Sequence, residues 1–330
     1  VTFYIILSLS VFLISLIGTR LTILALRQRT VLLDIPTLRS NHKIPTPRGG
    51  GIAVVMAMVI GLLVADIEYG IVLSIFMLAA VSLLDDLIRV PVMVRLLVQI
   101  LAVLIAVSII HTPLFGALLP LWLDRLVTVL LWVWFINLFN FMDGIDGLTA
   151  SEMICISFGL CLIPIILGTF PDQLSIYGMV VAAAGGGFLW WNWRPAKIFL
   201  GDVGSIPIGF IVGYLLLLAI QAGFIFPVLI LPAYYLCDGG ITMLRRLLRG
   251  KKIWQAHSDH YYQRAVRSGR RHDAVVCYII GLNLLLGSLA ILSVLDRDLA
   301  WLHLAMAYML VCIILGFFAH TPHDPHNEPF

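Results

Sequence analysis

The sequence predicts an all-α polytopic integral membrane protein with about 10 to 11 transmembrane helices, and three observations carry that prediction. First, 61% of the 330 residues are hydrophobic, only 12% are charged and the mean hydropathy is +1.03, against about 25% charged in a soluble domain. Second, the apolar residues run continuously instead of alternating, which selects membrane-spanning helices over barrel strands. Third, if those runs are taken as spans, 19 of the 21 basic residues, all but Arg125 and Arg297, fall on one side. Lys and Arg collect on the cytoplasmic side, so the N-terminus is expected outside. The formal net charge of +3 then reflects topology and not an affinity for nucleic acid.

Eleven segments are predicted, near residues 3–25, 50–66, 70–85, 93–111, 123–141, 152–168, 175–191, 205–220, 223–243, 274–295 and 299–319. Several are shorter than the roughly 20 residues a span requires. The first lacks a basic leader and a small-residue cleavage pattern, and is read as a retained helix. The fourth, Val94 to Ile110, reads as packing alone. Cys155, Cys161, Cys237, Cys277 and Cys312 all sit in apolar runs without a CxxC spacing, which suits small core residues. No internal repeat appears, so residues 1–319 are expected to form one membrane domain followed by a disordered tail, 320–330.

Between these segments stand five polar clusters, all on the basic side. Residues 34–51 place Arg39, His42, Lys43 and Arg48 among three prolines and end in Gly49-Gly50-Gly51, whose backbone amides could approach an anion. A glycine run without the Walker lysine is weak evidence for phosphate, and an ordinary basic loop is the plain alternative. The third segment ends in Asp85-Asp86, adjacent carboxylates whose repulsion a divalent cation, a shared proton or an ion pair from Arg89 would relieve. After the fifth segment, Asn137, Asn140, Asp143 and Asp146 recur every three residues, so on one helix they form a slowly drifting polar stripe. Such groups are expensive beside a bilayer unless something binds them. Phe199-Leu-Gly-Asp202-Val-Gly-Ser205 sets a carboxylate between glycines. His257-Ser-Asp-His260-Tyr-Tyr-Gln-Arg264 lies within the most basic loop, where phosphate contact suits the surrounding charge better than a zinc site lacking a third ligand.

In this order the clusters resemble the polyprenyl-phosphate N-acetylhexosamine-1-phosphate transferases, of the glycosyltransferase 4 type, over residues 34–264. The resemblance implies transfer of an N-acetylhexosamine-1-phosphate from a UDP-sugar to polyprenyl (undecaprenyl) phosphate, releasing UMP, in a cytoplasmic-face cleft of the bacterial inner membrane. It implies Mg²⁺, with Mn²⁺ as a substitute, held by Asp202 with Asp85 and Asp86, and it makes these three and His257 the catalytic set. It implies a nucleotide-sugar wall of Lys43, Asn140, Asp143, Gly144, Ile145, Asp146 and Phe199, and phosphate contacts from Arg48, His257, His260 and Arg264. The expected partners are a UDP-N-acetylhexosamine, the polyprenyl phosphate, membrane lipids and a second copy in a homodimer. The His-Ser-Asp-His motif is unlike the consecutive histidines of phospho-MurNAc-pentapeptide translocases and more like initiators of O-antigen or capsule synthesis. A phospho-MurNAc-pentapeptide donor is the alternative. A transporter or flippase is the rival class, and the gathering of the acids at helix ends, away from mid-bilayer, argues against it.

Overall fold

The structure is a computed structural model and describes residues 2–27, 33–34, 45–110, 113–170, 172–251 and 258–320. The predicted tail beyond His320 lies outside the described residues. The helices are α1 (Thr2–Arg27), α2 (Gly51–Val64), α3 (Tyr69–Ile88), α4 (Val92–Ile109), α5 (Leu121–Phe141), α6 (Leu148–Ile166), α7 (Gln173–Asn192) and α8 (Asp202–Gln221). They continue with α9 (Ile225–Ile230), α10 (Ala233–Leu248), α11 (Tyr261–Arg267), α12 (His272–Leu295) and α13 (Ala300–Ala319). A two-residue antiparallel ladder pairs β1 (Leu33–Asp34) with β2 (Thr46–Pro47).

Among the described residues nine helices are long and apolar enough to cross a membrane, and the chain is a multi-pass membrane protein. Every predicted segment is helical. The second, α2, has 14 residues. The ninth is divided into α9 and α10 at Pro232, which stands as N-cap of α10; a proline lacks the N–H a continuous helix needs there and its ring crowds the preceding turn.

The bundle is built around α8, 83% of whose most apolar window is buried. It packs on α3 and α5, and Trp132 of α5 stacks on Phe210 of α8 at 4.8 Å while its indole N–H donates to the Phe210 carbonyl at 3.0 Å. The indole therefore buries its area without orphaning its polar atom. By contrast α1, α4 and α13 turn large apolar side chains outward, among them Leu9, Leu97 and Met309, as a bilayer solvent allows. Because successive spans alternate in direction, the C-terminal ends of α3 and α5 meet the N-terminal ends of α2 and α8 at one end of the bundle.

Candidate active site

The glycine loop and the Asp202 loop are stitched together through their backbones. Phe199 N–H donates to the Pro47 carbonyl at 2.8 Å; Gly49 and Gly50 donate to the Phe199 carbonyl at 3.1 and 2.9 Å; Gly51 donates to the Leu200 carbonyl at 2.9 Å. The three amides that the sequence offered to an anion are thus taken by protein carbonyls. A Cβ on Gly51 would stand 2.3 Å from the backbone of Gly204, so the starts of α2 and α8 touch at a point where only glycine fits. Phe199 is half-buried on this seam.

The seam carries Arg48 and Asp202 to the end of α3. Arg48 pairs with Asp86 through Nε at 3.2 Å and with Asp202 through Nη2 at 2.6 Å. Arg95, near the start of α4, pairs with Asp85 and reaches Asp202 at 3.4 Å. The adjacent aspartates diverge. Asp85 accepts from the Val90 N–H at 2.7 Å and faces Arg95, whereas Asp86 accepts from the Val203 N–H at 3.2 Å and faces Arg48. Asn140 adds its amide to Asp202 at 3.1 Å and to the Ser205 hydroxyl at 2.8 Å. Three carboxylates interleaved with two guanidinium groups leave a formal charge of −1, and this alternation is what relieves the Asp85–Asp86 repulsion.

The reading of the fourth segment as packing alone needs correction. Arg95 belongs to this cluster, and Gln99 is buried against Asn137, whose amide donates to Gln99 Oε1 at 2.7 Å. Nothing in the apolar run around Arg95 marks it as more than one of many positive-inside residues.

The stripe from Asn137 to Asp146 is also not a single stripe, because α5 ends at Phe141 and the remaining residues form a loop. Asn137 turns to α4 and Asn140 to Asp202. Asp143 is half-buried near Thr149. Burial pushes its carboxyl up to about 6, with the charges of Asp202 and Asp86 adding to the rise and Thr149 and Arg48 opposing it. Ile145 is in the core. Asp146, 8% exposed, ties three segments together: its Oδ2 accepts from the Ala196 N–H at 3.2 Å and lies 3.8 Å from Arg194, while its Oδ1 lies 3.9 Å from His272 at the start of α12.

Gly144 lies under α11. A Cβ there would stand 2.3 Å from the Tyr262 hydroxyl and 2.9 Å from Gln263 Nε2. What holds α11 in place is Asp238 of α10, a fully buried carboxylate that sequence reasoning passed over inside a hydrophobic run. It accepts from the N–H groups of Tyr261 (2.9 Å) and Tyr262 (3.3 Å), from the hydroxyls of Tyr234 (3.0 Å) and Thr242 (3.4 Å), and meets His260 Nδ1 at 3.3 Å. Thus His260 sits in the core against Asp238. Arg264 is exposed and covers one face of the Tyr261 ring, with Arg245 at 5.1 Å from the same ring. Burial, then the Asp238 charge, holds the Tyr262 phenol well above its ordinary range, so it is a hydroxyl. Lys43 and His257 lie outside the described residues.

The structure therefore gathers Arg48, Asp85, Asp86, Asn140 and Asp202 into one cluster. It places Asp143 and Gly144 on a neighbouring loop roofed by α11, and Asp146 in a buckle behind that loop. Among the described residues no group of three or more His, Cys, Asp or Glu side chains stands gathered as a metal centre; the three aspartates are joined through arginines.

Residues 69–220, which hold Asp85, Asp86, the 137–149 stretch and Asp202, match the family described as glycosyl transferase family 4. The chain is 28% identical to a Bacillus subtilis protein named "probable undecaprenyl-phosphate N-acetylglucosaminyl 1-phosphate transferase", covering 84% of this chain and 81% of the relative. It is 26% identical to the decaprenyl-phosphate N-acetylglucosaminephosphotransferase of Mycobacterium leprae, over 77% of this chain and 75% of that one. A phospho-N-acetylmuramoyl-pentapeptide-transferase of Moorella thermoacetica is 28% identical over a shorter stretch, 47% of this chain and 48% of the relative. The order of the five clusters, their convergence at one end of the bundle and these matches agree in making the chain similar to glycosyl transferase family 4 over residues 69–220 and, over most of its length, to relatives named for N-acetylglucosamine-phosphate transfer to polyprenyl phosphates.

Proposed function

We propose that this protein transfers an N-acetylhexosamine-1-phosphate from a UDP-sugar to a polyprenyl phosphate on the cytoplasmic face of the bacterial inner membrane. The observation that carries the reading is the convergence of Asp85, Asp86 and Asp202 with Arg48 and Arg95 beside the loop 142–147. Relatives named for N-acetylglucosamine-phosphate transfer align over most of the chain, whereas those named for phospho-N-acetylmuramoyl-pentapeptide transfer align over about half or less. That difference favours a simple hexosamine donor. The product would initiate an O-antigen-like surface polysaccharide.

The three carboxylates are donors of the kind a hard divalent cation takes, since Mg²⁺ prefers carboxylate oxygens and water. Asp202, Asp85 and Asp86 would hold it. Bound there, the ion would offset charge on the phosphates that must approach one another. The protein's own groups do the rest. The guanidinium of Arg48, partly exposed, and that of Arg95 supply fixed positive charge for phosphate oxygens, and Asn140 orients Asp202. An oxygen of the lipid phosphate bonds to the sugar-bearing phosphorus as that phosphorus loses its bond to the bridging oxygen of departing UMP. A phosphate monoester has a second pKa of about 6 and is largely dianionic at neutral pH, so no general base is required.

The test is release of UMP by the purified protein given Mg²⁺, undecaprenyl phosphate and a panel of UDP-N-acetylhexosamines. The wild type should turn over with at least one donor. Asp202→Asn should lower kcat by about a thousandfold, the scale of losing a principal charge-stabilising group. Absence of turnover with every donor, or an Asp202→Asn protein at the wild-type rate, would overturn the proposal.

A further inference from the structure

Trp191, in the last turn of α7, gathers two cations. The Arg20 guanidinium carbon lies over its ring at 5.3 Å from the centroid, and the Lys197 ammonium at 5.0 Å. The ring is fixed by α1, since its indole N–H donates to the Leu16 carbonyl at 2.8 Å. The two helices touch so closely that a Cβ on Gly187 would stand 2.4 Å from the Phe12 carbonyl oxygen. Lys197 is placed through its backbone: its N–H donates to the Trp191 carbonyl at 2.8 Å, and the Asn192 amide closes the same loop on the Ile198 carbonyl at 2.9 Å. Among the described residues no carboxylate pairs with Arg20 or Lys197, and both are exposed. An aromatic face attracts a cation only weakly at an exposed site and does not neutralise two. The fold therefore brings two like charges to one ring and supplies no counter-charge.

The surroundings say which anion fits. Leu13 and Ile17 of α1 and Trp190 of α7 all turn outward beside this ring. Exposed tryptophan marks the level of the headgroups in a bilayer, and a long basic side chain covers apolar surface with its stem while its charge reaches that level. A soluble anion would meet an apolar border here, whereas a lipid phosphate brings acyl chains that match it. We propose that Arg20, Trp191 and Lys197 form a docking site for an anionic glycerophospholipid of the surrounding bilayer. Its phosphodiester bridges the guanidinium and the ammonium, and its chains lie along the outward face of α1. A headgroup of net negative charge is preferred over a zwitterionic one, whose own cation opposes the pair. Because Lys197 stands just before Phe199, the bound lipid braces α1 against the loop that leads into the glycine seam.

The experiment adds phosphatidylglycerol, phosphatidylcholine or soluble glycerol phosphate to the full chain purified in a mild detergent, and reads retained lipid by native mass spectrometry and the thermal midpoint. The wild type should hold phosphatidylglycerol about tenfold more tightly than phosphatidylcholine, the scale of two cations at a lipid surface. Its midpoint should rise with phosphatidylglycerol, as linkage requires. The Arg20→Gln, Lys197→Gln double variant should lose both effects. Lys197→Gln alone, at an exposed position set by its backbone, should lose about fivefold of the preference. Each protein is compared with itself with and without lipid, so a less stable variant still gives a reading. A second double variant, Arg249→Gln with Arg267→Gln, removes the same charge from exposed positions elsewhere and should keep both effects. An undiminished preference in the Arg20, Lys197 variant would overturn the proposal. So would an equal loss in the Arg249, Arg267 variant, or a wild type that binds glycerol phosphate as tightly as phosphatidylglycerol.

Discussion

Asp238 offers the sharpest test of how the α11 roof is held. Its two oxygens receive the Tyr261 and Tyr262 amides, two hydroxyls and a His260 nitrogen, with no exposure to solvent. Hydrogen bonds to a charged acceptor contribute about 1.5–3 kcal/mol each, and stranding buried donors costs as much again. Asn at this position keeps one oxygen for the Tyr261 N–H and turns an NH₂ toward the Tyr262 N–H and Tyr234 hydroxyl. The loss should be about 2 kcal/mol, or roughly a 30-fold shift toward undocked α11. Ala removes both oxygens and should cost about 3–5 kcal/mol, the scale of breaking a buried charged network. Amide hydrogen exchange of residues 258–268, followed by mass spectrometry, reads this directly, since local opening sets the protection. Protection should fall about 30-fold in Asp238→Asn and by at least a hundredfold in Asp238→Ala. An Asp238→Ala protein whose α11 amides exchange at the wild-type rate would refute the account of α11 as a helix hung on one carboxylate.

Two further outcomes follow from the geometry. Gly51→Ala places a methyl 2.3 Å from the Gly204 backbone; parting α2 from α8 should cost about 1–3 kcal/mol and lower the thermal midpoint in detergent, with loss of UMP release as the second readout. Asp143 gives a pH dependence. Its folded-state carboxyl is raised to about 6 from an unfolded value of 3.8, so between those values the folded chain holds more proton. Stability from this group is fully present below about pH 4 and is lost as the pH rises through about 6. Unfolding midpoints from pH 4 to 7 should show a downward contribution that Asp143→Asn abolishes, and an identical slope in both proteins would reject it.

The spans were legible because hydropathy and the Lys/Arg bias report directly on burial in lipid, and every predicted segment became a helix. Asp85, Asp86, Asn140, Asp202 and Arg48 were legible as polar residues at span ends. Their mutual contacts were not. The Arg48–Phe199 seam joins positions 151 residues apart through backbone atoms, which no side-chain pattern encodes. Arg95 and Asp238 escaped notice for a related reason: each lies in or beside an apolar run, and their roles come from partners on other helices. The three-residue spacing of Asn137, Asn140, Asp143 and Asp146 suggested one face, but a helix terminating at Phe141 sends the four side chains to different neighbours. Lys43 and His257 fall outside the described residues.

The seam between residues 47–51 and 199–204 also dictates an order of assembly. Chains fold from the N-terminus during synthesis, so α2 and α3 enter the bilayer long before α8 exists. Asp85 can find Arg95 early, across the short connection between α3 and α4, but Arg48 and Asp86 must wait for Asp202, and the glycine amides must wait for the Phe199 and Leu200 carbonyls. Until then the nascent bundle carries exposed backbone donors and an incomplete charge set at that end. The insertion of a single late helix therefore closes the site, and a chain truncated before α8 would lack both the carbonyls that take the glycine amides and the Asp202 partner of Arg48.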